Sequence, residues 1–123
     1  MNIRTAVYPG SFDPVTLGHM DIIERSAQVF ERLVVLIVEN PDKQVCFSLE
    51  ERRALIEKVT SHMDNVSIDT YQGLLIDYLR SHDYRLIIKG LRAISDFDYE
   101  FQMALTNKKL AEEIETMFMM TRA

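Results

Sequence analysis

The sequence predicts an open α/β sheet of five parallel strands with helices on both faces. Three observations carry this reading. Short β-rich runs alternate with segments of helical period, and most of the runs are apolar nearly throughout, as strands covered on both faces must be. Polar, glycine- and proline-bearing residues collect in the loops behind those runs. A chain of 123 residues, 47% hydrophobic and 27% charged, has material for one core, so positions 1–123 are read as a single domain.

The first strand is expected over Arg4 to Tyr8. The loop behind it, within "YPGSFDPVTLGH" (8–19), leads into a helix in which Met20, Ile23, Ala27 and Phe30 recur at steps of three and four. "LVVLIV" (Leu33 to Val38) is the second strand. "SLEE" opens the second helix: Ser48 can cap it while Glu51 reaches back, a capping box, and Leu55, Ile56, Val59 and Met63 supply a buried face. Val66 to Thr70 is the third strand, Leu74 to Ser81 a short helix, and Leu86 to Ile88 the fourth strand. The fourth helix is expected from Asp96 to Glu112. It carries Phe97, Phe101, Ala104 and Lys108 on one side and a polar stripe of Asp96, Glu100 and Asn107 opposite. Thr116 to Met120 closes the sheet.

Composition excludes several classes. A net charge of −5 and a pI near 5.1 argue against a general polyanion binder, so no nucleic-acid partner is expected. The apolar run Leu33 to Val38 is far shorter than the ~20 residues that span a bilayer, and the start lacks the apolar core of a signal peptide. Cys46 is the only cysteine, which rules out an intrachain disulfide, and His19, His62 and His82 are too scattered for a metal-ligand spacing. The expectation is a soluble cytoplasmic protein, with no membrane contact and no protein metal ligands.

Sheets of this kind bind ligands at the carboxyl ends of their strands, beside helix N-termini. The loops that matter are therefore 9–18, 39–47, 71–74 and 89–95. In the first, Gly10 lets the backbone approach a ligand, Ser11 adds a hydroxyl, and Gly18 precedes His19 at the first turn of the helix. Free amides and the positive end of the helix dipole there favour an anion. Lys43 and Lys89 bring cations from two further loops, and Lys89 ends an apolar strand ahead of Gly90. Arg4, Lys58, Lys108, Lys109, His62 and His82 read as surface groups.

"GSFDPVTLGH" resembles the first signature of the nucleotidylyltransferase superfamily, whose HxGH motif reads TxGH here, Thr16 to His19. Within that superfamily, "NPDKQVCFSLEER" (40–52) and "IIKGLRAISDFDYEFQMALTNKKL" (87–110) resemble the phosphopantetheine adenylyltransferase family of bacterial coenzyme A synthesis. Three separated motifs in the right order are far more specific than TxGH alone. The resemblance implies a Rossmann-like fold and transfer of the adenylyl group of ATP, with Mg²⁺, to 4′-phosphopantetheine. The products are dephospho-CoA and pyrophosphate; the family's partners also include coenzyme A, and its assembly is a homo-oligomer, a hexamer.

Carried over residue by residue, the resemblance makes His19 the donor to the α-phosphate in the transition state. Ser11, Phe12, His19, Gly90, Leu91, Arg92 and Glu100 would hold ATP. Ser11, Lys43 and Lys89 would hold the acceptor phosphate, and Leu75 would meet the pantetheine arm through its backbone. The family also has an ISSS-type motif and C-terminal helices that this sequence does not contain, so the chain is expected to be C-terminally incomplete. Two alternatives follow: a nucleotide- or coenzyme A-binding module without turnover, and a related nucleotidylyltransferase with another phosphorylated acceptor, such as nicotinate mononucleotide.

Overall fold

A computed structural model describes residues 4–92 and 94–121, and the side chains of all of these except 94–96. The side chain of Asp96 in the expected polar stripe therefore lies outside the described residues. The alternating pattern folds as β1 (Thr5–Gly10), α1 (Leu17–Val29), β2 (Arg32–Glu39), α2 (Leu49–Thr60), β3 (Val66–Gln72), α3 (Leu75–His82), β4 (Leu86–Leu91), α4 (Ile94–Leu110) and β5 (Glu115–Met120). All five strands lie in one parallel sheet, ordered β3-β2-β1-β4-β5.

That order explains the apolar runs. β2 lies inside the sheet and alternates its side chains between two buried faces. Val35 and Ile37 join Tyr8 and Ile88 under Ile22 and Ile23 of α1 and Ile56 of α2. Val34 and Leu36 join Val7 and Ile87 under Ile76, Tyr78 and Leu79 of α3. Each large aliphatic side chain so covered contributes about 1.5–3 kcal/mol relative to exposure. The chain leaves β1 toward one edge of the sheet and β4 toward the other. Between the two lies a switch point, which opens a crevice at the carboxyl ends of both strands.

Three details depart from the sequence pattern. Strands β1 and β4 run two or three residues further than expected, so Lys89, Gly90 and Leu91 are paired with Phe118, Met119 and Met120 of β5 rather than looped. In α2, Leu55 is exposed and the buried stripe is Arg52, Ile56 and Thr60. The helix is rotated so that the Arg52 side chain reaches back toward the ends of β1 and β2. In α4 the two sides do not divide into a buried and an exposed face: Phe97 and Phe101 are exposed, although Phe97 meets Phe118 of β5 with centroids 5.6 Å apart, while Ala104 and Lys108 are half-buried like Glu100 and Asn107. An ion pair between Glu100 and Lys89 of β4, 3.5 Å long, holds Glu100 toward the sheet.

Candidate active site

The four residues "TLGH" close on themselves. Thr16 caps α1, its Oγ1 accepting from the His19 backbone N–H at 3.2 Å, and its own N–H donates to Nδ1 of His19 at 3.0 Å. This is a capping box in which histidine occupies the third helical position, the place glutamate or glutamine usually takes. Because Nδ1 accepts from a backbone amide, the neutral ring carries its proton on Nε2. Burial, and then the nearby Arg92 cation, hold the His19 pKa below its ordinary 6.5. His19 is therefore a neutral N–H donor of fixed tautomer at the start of a helix.

The residues in front of it are packed just as locally. Phe12 has φ 47°, unusual for a non-glycine residue, and its ring is buried against His19 (centroids 4.9 Å apart) and Tyr8 (5.4 Å). Such a backbone costs of order 1–3 kcal/mol and persists because the buried ring over-determines it. A Cβ on Gly10 would stand 3.1 Å from that ring. The Phe12 ring thus leaves little room for a side chain at Gly10, which also lines the larger cavity. Burial pushes the Tyr8 phenol up to about 12, so it stays protonated.

The loop after β2 is fixed from a distance. The Asp13 carboxylate accepts from the Cys46 N–H at 2.7 Å and the Phe47 N–H at 2.8 Å. The Cys46 amide above all, aided by the Phe47 amide, holds this carboxyl below its usual range. Arg52 donates from Nη1 to the Ser11 carbonyl at 3.0 Å and stands 3.5 Å from Glu39. The expected capping box of Ser48 and Glu51 is present and starts α2. Neither Asp13 nor Arg52 stands out in the sequence, because the contacts that tie each of them to the other loop reach across 33 to 41 residues.

Two adjoining cavities open at the carboxyl ends of the strands. The larger, about 590 Å³, is lined by Ser11, Glu39, Lys43, Arg52, Gln72, Leu75, Lys89 and Tyr99, among others. The second, about 400 Å³, is lined by Tyr8, Ser11, Thr16, His19, Lys89, Gly90, Arg92 and Glu100, among others. Both are of the size that takes a small-molecule ligand. Ser11 and Lys89 line both cavities. Four cations, Lys43, Arg52, Lys89 and Arg92, line this crevice with three carboxylates, Asp13, Glu39 and Glu100, so a protein of net charge −5 carries a small local excess of positive charge there.

The profile of the Cytidylyltransferase-like family matches residues 7–123. The phosphopantetheine adenylyltransferase of Clostridium tetani is 59% identical over 123 residues, which is 100% of this chain and 76% of that protein. The phosphopantetheine adenylyltransferase of Clostridium novyi is 57% identical over 121 residues, 98% of this chain and 75% of that protein. The chain belongs to the phosphopantetheine adenylyltransferase family. The fold is also that of a bifunctional NMN adenylyltransferase/ADP ribose pyrophosphatase from Francisella tularensis, solved with AMP and a Mn ion. There the TM-score is 0.69 at 19% identity, covering 96% of this chain and 37% of that one.

Membership makes the chain a nucleotidyltransferase. Ser11, Lys43, Leu75 and Lys89 all line the larger cavity. Ser11, His19, Gly90, Arg92 and Glu100 all line the second. Phe12 and Leu91 line neither: both side chains are buried, and the Leu91 carbonyl is taken by the N–H and hydroxyl of Thr121. Phe12 can offer a ligand only its backbone. Lys89 is not the free cation its sequence neighbours suggest, since Glu100 comes to it from α4. Among the described residues no group of three or more His, Cys, Asp or Glu could hold a metal, and no helix is long and apolar enough to cross a membrane.

Proposed function

We propose that the protein transfers the adenylyl group of ATP to 4′-phosphopantetheine, forming dephospho-CoA and releasing pyrophosphate, as a step of coenzyme A biosynthesis. One observation carries the reading beyond family membership. The residues that the family resemblance gives to the acceptor line one cavity, and those it gives to the nucleotide, Phe12 and Leu91 apart, line an adjoining one that shares Ser11 and Lys89 with it. A phosphate in each cavity meets the other there.

The nucleophile is an oxygen of the acceptor phosphate, already ionised at neutral pH, so the reaction needs no protein base. It needs alignment of two polyanions and stabilisation of the charge that builds on the α-phosphate. Lys43 and Lys89 hold the acceptor phosphate and offset its repulsion from ATP. Arg92 and the first amides of α1 draw the ATP phosphates in. His19, neutral and with its proton on Nε2, donates to an oxygen of the five-coordinate α-phosphate. Glu100 faces the nucleotide and keeps Lys89 in place between the two cavities.

The described side chains offer no carboxylate or histidine cluster for a dedicated metal site. Mg²⁺ would accompany ATP, neutralising charge on its phosphates. A cytoplasmic, homo-oligomeric enzyme, hexameric as the family resemblance implies, completes the reading, as does a single domain over 1–123.

Pyrophosphate release tests it. With ATP and 4′-phosphopantetheine the protein should release pyrophosphate saturably, and with nicotinate mononucleotide or unphosphorylated pantetheine it should not. Binding of both substrates without release would make it a binding module instead.

A further inference from the structure

Arg52 is the only charged residue among the buried polar groups of the described core, with 3% of its side chain exposed. Its position is doubly unfavourable: the cation is removed from water, and it sits in the first turns of α2, near the positive end of the helix dipole. Such an arrangement does little for stability, since an apolar side chain of similar volume serves a core as well or better. Its geometry, however, is specific. Nη1 donates to the Ser11 carbonyl at 3.0 Å, Nε to the Ser48 carbonyl at 3.4 Å, and Nη2 reaches Glu39 at 3.5 Å. One guanidinium thus ties together the loop after β1, the cap of α2 and the end of β2.

The Ser11 carbonyl is half of the Ser11–Phe12 peptide. In a trans peptide the N–H points opposite the C=O. Holding that carbonyl on Arg52 therefore turns the Phe12 N–H to the side away from the guanidinium, next to Ser11, which lines both cavities. The unusual φ of Phe12 and its buried ring fix the peptide from the other side. This also accounts for a residue that lines neither cavity yet belongs to the family's nucleotide-contacting stretch.

We infer that Arg52 is a positioning residue for the reaction: through the Ser11 carbonyl it orients the Ser11–Phe12 peptide so that its N–H and the Ser11 hydroxyl meet the reacting phosphates. The inference rests on the adenylyl-transfer reading. A donor aimed at charge that develops during reaction acts on the barrier more than on ground-state affinity.

Arg52→Met keeps the stem and the volume and removes every donor; Arg52→Lys keeps the charge but cannot span three acceptors. Both are measured beside wild type and Ile56→Val, a core change one turn along the same buried stripe that touches neither cavity. Pyrophosphate release, thermal midpoint, and the ¹⁵N–¹H shift of the Phe12 amide on adding ATP are recorded for each. A misplacement of about 1 Å costs up to ~10²-fold in rate, so kcat should fall ~10- to 100-fold in Arg52→Met and less in Arg52→Lys. The KM for ATP should stay within about threefold, and the ATP-induced shift of the Phe12 amide should be lost.

An Arg52→Met enzyme with kcat within twofold of wild type overturns the inference. So does a kcat loss that merely follows the thermal midpoint along the line set by Ile56→Val. If Arg52→Met does not fold, Arg52→Lys decides by the same two criteria. A wild-type protein that binds ATP, shifts the Phe12 amide and releases no pyrophosphate would instead sink the adenylyl-transfer reading. In that case loss of the amide shift in Arg52→Lys would still report on the peptide.

Discussion

In the His19 cavity the deciding contacts close within four residues: Thr16 and His19 cap each other, and the helix they start supplies the amides. In the Lys43 cavity they span most of the first half of the domain. Asp13 grips Cys46 and Phe47, and Arg52 returns to Ser11 across 41 residues. The Thr16–His19 lock needs only the start of α1, while the wall facing it, with Lys89, Gly90, Arg92 and Glu100, comes from β4 and α4. The Lys43 cavity exists only once β1, β2 and α2 have assembled. Changes to the Thr16–His19 lock should therefore leave the loop after β2 nearly intact, and the reverse.

The largest effect is expected at His19. In His19→Ala, kcat should drop ~10²–10³-fold, about 3–4 kcal/mol of barrier, with ATP affinity spared. The variant also loses half of the capping box, and a cap is worth ~1 kcal/mol of stability. His19→Gln separates the two, because glutamine at this position restores the box without restoring the imidazole. Its thermal midpoint should return toward wild type while its rate stays low. If titration shows ATP affinity falling as far as the rate in His19→Ala, the ring is a ground-state ligand and the mechanism changes.

A smaller difference is expected between the two lysines. Lys89 faces both cavities and is paired with Glu100; Lys43 is exposed on its loop. Removing Lys89 leaves a half-buried carboxylate turned toward the nucleotide phosphates. Lys89→Ala should therefore weaken 4′-phosphopantetheine and ATP alike, each by ~10-fold or more, as for loss of a hydrogen bond to a charged group. Lys43→Ala should weaken 4′-phosphopantetheine only a few-fold, within the ~0.2–1 kcal/mol of exposed ion pairs, and leave pantetheine and ATP unchanged. Calorimetry with the three ligands measures this. Identical losses in the two variants would erase the distinction between a shared and an outlying cation.

Legibility in the sequence follows the same division between local and distant contacts. β2 is visible as "LVVLIV" because both sheet faces demand apolar side chains, and the Ser48–Glu51 box is visible because capping acts over three residues. The position of His19 at a helix start, and with it a capping role, is visible in the pattern; its reciprocal pairing with Thr16 is not, since histidine is an uncommon partner there. Periodicity separates two sides of α4 but not which residues of each meet the sheet. Glu100 turns inward because Lys89, eleven residues earlier in sequence, offers it a partner across the crevice. Leu55 fails as a core residue for a related reason, the rotation of α2 that carries Arg52 inward. Asp13 and Arg52 carry no local signal at all.

The smallest effect, and the sharpest check on the local lock, is the pH dependence of stability. Burial and Arg92 lower the His19 pKa in the folded state below the 6.5 of an unfolded chain. Between those two values the unfolded state binds more protons, so unfolding free energy falls as pH drops from 6.5 through the folded pKa, and levels off below it. The structural cause is visible: a protonated Nδ1 can no longer accept from the Thr16 N–H. Asp13, Glu51 and Glu113, whose carboxyls are all held low, lose their contributions only at more acid pH and stay outside this window. Urea midpoints at pH 7.5 and pH 5.5 should therefore drop more for wild type than for His19→Gln, which has no group to protonate at that position. Equal drops in the two proteins would mean that the ring exchanges protons as freely folded as unfolded, and that the Thr16 contact does not fix its tautomer.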